Sequence, residues 1–239
     1  MSHERLVERL FEALINGDRN EARAIVHGAE QQGCSPEELT AEVLWPTYEM
    51  ISRLYRADQL STLCNNLATR LLRTICDQTA GRFNIQPSTG RSVFLMSGPT
   101  DFDEVAGQMA SDLLEQAGYE VAFAGGGIAM DELLANAQQK QPDILAIFAS
   151  APGDLPMIRE LIDKIHEIGA CRSLQVVVGG GVFNRADGLA VEIGADLWAG
   201  SPMELVEVIV DEPDRRASED QRTVGRKRTV KAAPRKKAA

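Results

Sequence analysis

The stretch that most constrains the fold runs from Ser92 to Gly107. An apolar run, Val93 to Met96, stops at Gly98-Pro99, passes the carboxylates Asp101 and Asp103, and enters a helical pattern. Apolar run, Gly/Pro turn and a 3.6-residue period read as strand, loop and helix, the first half of a βαβ unit. Ligands of open α/β sheets bind outside the carboxyl ends of the strands. The loop before Asp103 is therefore the first place to expect a site.

Upstream, the pattern is helical throughout. Leu6, Val7, Leu10, Phe11, Leu14 and Ile15 form one apolar face, and Gly17-Asp18 ends it. A second helix spans about Asn20 to Gln32. Ser35 is placed to cap a third, with Pro36 in its first turn and Glu38 at the capping-box position. Pro46 predicts a kink or a fresh start. Leu60, Leu63, Cys64, Leu67, Leu71, Leu72, Ile75 and Cys76 mark the longest helix, over 60–80, which Gly81 closes. Residues 1–84 thus read as a four-helix-type bundle, a cap, and residues 85–91 as a linker.

Downstream, apolar runs at 93–97, 120–124, 143–149, 174–178 and 196–199 alternate with helical patterns at 103–117, 129–140, 155–169, 184–193 and 202–210. Helical crossovers imply a parallel sheet covered on both faces. Residues 92–211 are expected to form a five-stranded, flavodoxin-like (Rossmann-like) α/β domain with strand order 2-1-3-4-5. From 212 to 239 the chain is poor in apolar residues and reads as a disordered basic tail. Residues 215–239 hold ten Lys/Arg against two acidic residues, while the whole chain carries −10, so the body is strongly acidic. Gly225-Arg226-Lys227-Arg228 and Pro234-Arg235-Lys236-Lys237 would attract nucleic-acid phosphates or an acidic partner surface. No aromatic interleaves them, so base stacking is not expected.

Several classes are disfavoured. No window approaches the ~18 apolar residues of a membrane span, and the charged start, Met1 to Arg5, predicts a cytoplasmic protein without membrane contact. Cys34, Cys64, Cys76 and Cys171 are far apart with no Cys-x-x-Cys pair, which fits free thiols better than disulfides or zinc. No nucleophile–base set is visible, so no catalytic residue is assigned and a stand-alone enzyme is disfavoured. The triple glycines Gly125-Gly126-Gly127 and Gly179-Gly180-Gly181 serve either a ligand's close approach or a tight turn, and neither belongs to a P-loop or dinucleotide fingerprint. A phospho-receiver would need an Asp ending the third strand and a Lys after the fifth; those places read Phe148-Ala149-Ser150 and Gly200-Ser201, and Asp154 comes too late. Asp101 or Asp103 can simply N-cap the helix that follows.

Specific segments carry a resemblance. Gly118-Tyr119-Glu120-Val121 with Gly125, Asp143-Ile144-Leu145, Val178-Gly179-Gly180-Gly181 and Gly194-Ala195-Asp196 match, in order, the second to fifth strand segments of cobalamin-binding modules. Tyr55 to Ser61 and Leu67-Ala68-Thr69 align with that family's cap. Over residues 3–211 the chain resembles the corrinoid-binding modules of methionine synthase, corrinoid methyl carriers and cobalamin-dependent photoreceptor repressors. The family's cobalt loop, D-x-H-x-x-G, falls on Asp101-Phe102-Asp103-Glu104-Val105-Ala106. The ligating His is therefore Asp103 and the Gly is Ala106. The family's S-x-L, which lines the pocket of the nucleotide tail, falls on Phe148-Ala149-Ser150, and Phe148 would fill space there. The photoreceptors' Trp, Glu and His fall on Tyr55, Asn65 and Asn66, which would face the cleft if the cap docks as in that family. A carboxylate is a poor substitute for imidazole on such a metal. His3, His27 and His166 lie away from the loop.

The resemblance thus implies a small-molecule ligand, either corrinoid with its own base on cobalt or another compound, at Asp101, Phe102, Asp103, Ala106, Gly125, Gly126, Phe148, Ser150, Gly179, Gly180 and Gly181, with no metal ligand from the chain. The leading expectation is a sensory or regulatory protein whose cap docking reports the ligand to a partner. The alternatives are a corrinoid methyl carrier and a ligand-free interaction module closed by Phe148. An exposed apolar flank on the bundle would suit a homo-oligomer.

Overall fold

The computed structural model describes residues 2–168 and 173–217. Cys171 and both basic clusters of the tail lie outside the described residues, as does most of the segment expected to be disordered.

Among the described residues, five helices and one π-helical turn build the cap. α1 (His3–Ile15) buries Leu6, Val7, Leu10 and Leu14, and α2 (Arg19–Gln31) is capped by Asp18, which accepts from the Asn20 and Glu21 amides. A buried aliphatic side chain of this kind contributes roughly 1.5–3 kcal/mol. Ser35 accepts from the Glu38 amide at the start of α3 (Pro36–Leu39). A π-helical turn, Thr40–Leu44, then leads into α4 (Trp45–Arg56). Its cause is Pro46, which has no amide to donate; the Trp45 amide reaches back to the Thr40 carbonyl and the helix widens rather than breaks. α5 (Thr62–Ala80) completes the bundle, with Ser61 as N-cap.

Five parallel strands follow in the order β2-β1-β3-β4-β5: β1 (Ser92–Ser97), β2 (Glu120–Gly125), β3 (Ile144–Phe148), β4 (Gln175–Gly179) and β5 (Leu197–Ala199). The covering helices are α6 (Asp101–Gln116), α7 (Met130–Lys140), α8 (Leu155–Ile168), α9 (Gly181–Asn184), α10 (Leu189–Glu192) and α11 (Pro202–Asp211). The single helix expected over 184–193 is two short turns. Gly188, at φ +79°, reverses the backbone between them.

Strand periodicity splits the core. Val93, Leu95, Ile144, Ala146, Phe148 and Val177 join a cluster continuous with α6, α11 and the cap. Phe94, Met96, Leu145, Ile147, Val176 and Val178 face a second cluster with α7 and α8. The cap is therefore not a separate globule, because its core runs through α5 and α6 into one face of the sheet. The 85–91 segment is pinned as well: Gln86 N donates to Gln116 O and Thr89 N to Gly118 O, each at 2.8 Å.

Cap and sheet also meet through electrostatics. Arg73 pairs with Glu104 at 2.8 Å across α5 and α6. Burial, augmented by Glu115 and Asp77 and opposed by the Gln108 amide, pushes the Asp112 carboxyl on α6 up to about 7 from its ordinary 3.8. The folded chain therefore holds a proton that the unfolded chain has released. This contribution to stability is complete below the unfolded value and is lost as pH rises through the folded one. Asp112→Asn is expected to raise the unfolding free energy by roughly 1–2 kcal/mol in mildly alkaline buffer and hardly at all near the unfolded value, with the water still reaching the group limiting the gain. Thermal melts at both pH values check this.

Candidate functional site

The β1–α6 loop is built by its cap. Thr100, not Asp101 or Asp103, is the N-cap of α6. Asp103 N donates to Thr100 Oγ1 at 3.1 Å, and Thr100 Oγ1 donates to Asp103 Oδ2 at 2.5 Å. Asp103 is 1% exposed, so the residue at the family's histidine position is locked in a capping box. Asp101 is exposed and Ala106 is buried in the core.

Asp154, which the sequence places too late to matter, returns to this loop. A Cβ at Gly98 would lie 2.7 Å from Asp103 Oδ2 and 3.1 Å from Asp154 Oδ2, so the two carboxylates flank the bare Gly98 backbone. Burial first and the Asp103 charge second raise the Asp154 carboxyl. Its Oδ2 is buried with no hydrogen-bond partner among the described residues.

The glycine turns bring loops into contact. A Cβ at Gly126 would be 2.1 Å from Gly98 O, so the β2–α7 loop crosses directly over the β1–α6 loop. Gly125 takes φ +75° beside Glu104. Gly180 takes φ +100° with Ala149 O 2.4 Å from its would-be Cβ. Phe148 is 1% exposed and its ring edge lies 2.9 Å from a would-be Cβ at Gly179, so the ring covers Gly179 of β4 on the face shared with the cap core. Ser150 lines the cleft beside Gly181.

The cap face differs from the expectation. Tyr55 is 39% exposed and Asn66 is exposed, while Asn65 is buried within α5, its Oδ1 without a hydrogen-bond partner among the described residues. None of the three lines the cleft. The aligned positions lie on other faces of α4 and α5. The stripe that meets the sheet is Trp45, Tyr48, Glu49, Ser52 and Arg56 on α4, spaced at helical intervals. Trp45 stacks on Tyr48 with centroids 4.8 Å apart, and Tyr48 stacks on Phe102 at 4.0 Å. Burial, together with the Asp103 charge, raises the Tyr48 phenol well above its ordinary value, so it stays neutral.

This aromatic column leaves a cleft of about 130 Å³ between α4 and the loops after β3 and β4. Pockets for drug-sized ligands run to about 300–1,000 Å³, and a corrinoid is larger still. With Asp103 committed to its cap and Phe102 under Tyr48, the closed arrangement fits neither a corrin ring nor a nitrogen ligand to cobalt. His3 and His27 lie on the bundle and His166 in α8, all outside the cleft lining.

Comparison with known proteins supplies the relationship. A family model described as a B12 binding domain matches residues 92–207, and a second B12 binding domain model matches residues 6–78. Dimethylamine corrinoid protein 1 of Methanosarcina acetivorans is 22% identical over 208 residues, covering 86% of this chain and 96% of the relative. Its counterpart from Methanosarcina mazei is 24% identical over 212 residues, covering 86% and 94%. The solved structure of Methanosarcina barkeri monomethylamine corrinoid protein superposes with a TM-score of 0.77 at 14% identity, covering 88% of this chain and 99% of that one. That likeness is one of fold. Among the described residues no helix is long and apolar enough to cross a membrane.

Proposed function

Because this chain belongs to the B12-binding family, whose cofactor is cobalamin, we propose that it is a corrinoid protein of the methyl-carrier kind in its cap-closed form. The carrying observation is the Trp45–Tyr48–Phe102 column, which stands between cap and sheet at the carboxyl ends of the strands. Ligand entry then requires α4 to lift from the β1–α6 loop. In this reading the chain gives cobalt no nitrogen ligand, and corrinoid is held with its own base on the metal.

The likeness to two dimethylamine corrinoid proteins, over 86% of this chain, favours the carrier reading over the sensory role expected from sequence. A carrier serves protein partners, and the movable cap is the element they would engage. The site residues on this reading are Phe102, Gly125, Gly126, Ser150 and the Gly179–Gly181 turn, with Asp103 as a structural cap rather than a ligand.

The test is incubation with hydroxocobalamin, desalting and a visible spectrum. Corrinoid retained near one per chain, with the spectrum of a base-on form, is the expected result. A colourless protein after desalting overturns the proposal.

A further inference from the structure

We propose that the cleft between α4 and the β4–α9 turn is a binding site for a small phosphate-type dianion, held between Arg56 and Arg185. This goes beyond the corrinoid reading and does not depend on it.

Two guanidinium groups from opposite sides converge on one point of bare backbone. A Cβ at Gly181 would lie 2.8 Å from Arg185 Nη1 and 3.7 Å from Arg56 Nη1. Their hydrogen bonds go to neutral oxygens: Arg56 donates to Ser52 Oγ, and Arg185 donates to Ser150 O at 2.6 Å. Neither forms an ion pair among the described residues, although the chain is acidic overall and other arginines, such as Arg73 and Arg159, find carboxylates. Glu49, also at the lining, has its carboxyl raised by burial against the opposing charges of Arg53 and Arg56, and pairs with neither among the described residues. Burial and the neighbouring Arg56 charge both lower the Arg185 value, so the two cations repel each other across the cleft. A bound anion relieves that repulsion.

Size and geometry select the ligand. At about 130 Å³ the cleft is small, which suits an oxyanion better than a drug-sized ligand. Arginine forks bind phosphate through paired N–H donors, and two forks match two negative charges. Ser52 Oγ, which accepts from Arg56, also lies at the lining and keeps its own hydroxyl proton to donate.

The experiment is calorimetric titration of the full chain, free of corrinoid, with inorganic phosphate at ionic strength fixed by chloride. Acetate serves as the single-charge control. Saturable phosphate binding is expected, weakened about tenfold or more in Arg56→Gln and in Arg185→Gln. Gly181→Ala tests the point of convergence without altering charge. Its backbone is not left-handed and its nearest obstacle is the far end of a flexible side chain, so it should fold and still lose phosphate. Arg23→Gln, on α2, should bind as wild type. Unchanged melting temperatures confirm that the variants fold. Absence of saturable binding, or equal binding by Arg56→Gln and Arg185→Gln, overturns the proposal, as does acetate binding as tightly as phosphate. The two readings share Ser150 and Gly181 but fail separately, because phosphate binding is read without corrinoid and a failed corrinoid reconstitution leaves the phosphate site standing.

Discussion

Tyr48→Ala lowers the unfolding free energy by about 3–5 kcal/mol and, in the same protein, raises corrinoid uptake about tenfold. The first effect follows from burial: Tyr48 is 6% exposed and sandwiched between Trp45 and Phe102. Aromatic pairs add about 0.5–1.5 kcal/mol each beyond area burial. The second effect follows from competition. Free energy that closes the cap on the loop is subtracted from the affinity of any ligand that must open it. Leu10→Ala is the control, since Leu10 is fully buried within the bundle core and should lose comparable stability without gaining uptake. Tyr48→Phe keeps the stack and should stay near wild type in uptake. Denaturant melts and equilibrium dialysis against hydroxocobalamin give both readings. Uptake rising equally in Leu10→Ala would mean that loosening in general, not the aromatic column, admits the ligand.

Gly180→Ala is expected to be the more damaging of two glycine substitutions, costing more than about 3 kcal/mol against about 1–2 kcal/mol for Gly188→Ala. Both residues have left-handed φ, +100° and +79°. They differ in what surrounds them. A Cβ at Gly180 would meet Ala149 O at 2.4 Å and Ala149 N at 3.0 Å, backbone atoms that cannot step aside without pulling β3 from β4. Nothing lies within 4 Å of a Cβ at Gly188. The difference between the variants reads the close packing of the β4 turn together with the glycine-only backbone of Gly180, at φ +100° and ψ 175°, against the milder αL backbone of Gly188. Equal losses would show that the turn is not tightly held.

The strands were legible because each is an apolar run ending at a turn residue; the helical crossovers gave their parallel direction, and the order came from the likeness of five βα units to a flavodoxin-like sheet. The helix expected over 184–193 misled because Ala186, Leu189, Ala190 and Ile193 keep an apolar period across Gly188, whose left-handed backbone cannot continue a helix. Asp101 and Asp103 were plausible caps, but Thr100 is one residue earlier and its hydroxyl reaches the Asp103 amide. The cap stripe was readable in principle, since Trp45, Tyr48, Ser52 and Arg56 repeat at three and four residues. Alignment by resemblance drew attention instead to Tyr55, which points elsewhere. The meeting of Asp154 with Asp103, and of Arg185 with Arg56, had no sequence signal: each joins loops or helices dozens of residues apart through the folded sheet.

The most direct measurement is electron paramagnetic resonance of the cobalt(II) form after reconstitution with unlabelled hydroxocobalamin, using protein grown on nitrogen-15 and on natural nitrogen. Asp103 is fixed by Thr100 and no histidine lines the cleft, so the account predicts bound corrinoid with identical nitrogen splitting in the two samples. A splitting that changes from three lines to two with the labelled protein would put a protein nitrogen on the cobalt and contradict it.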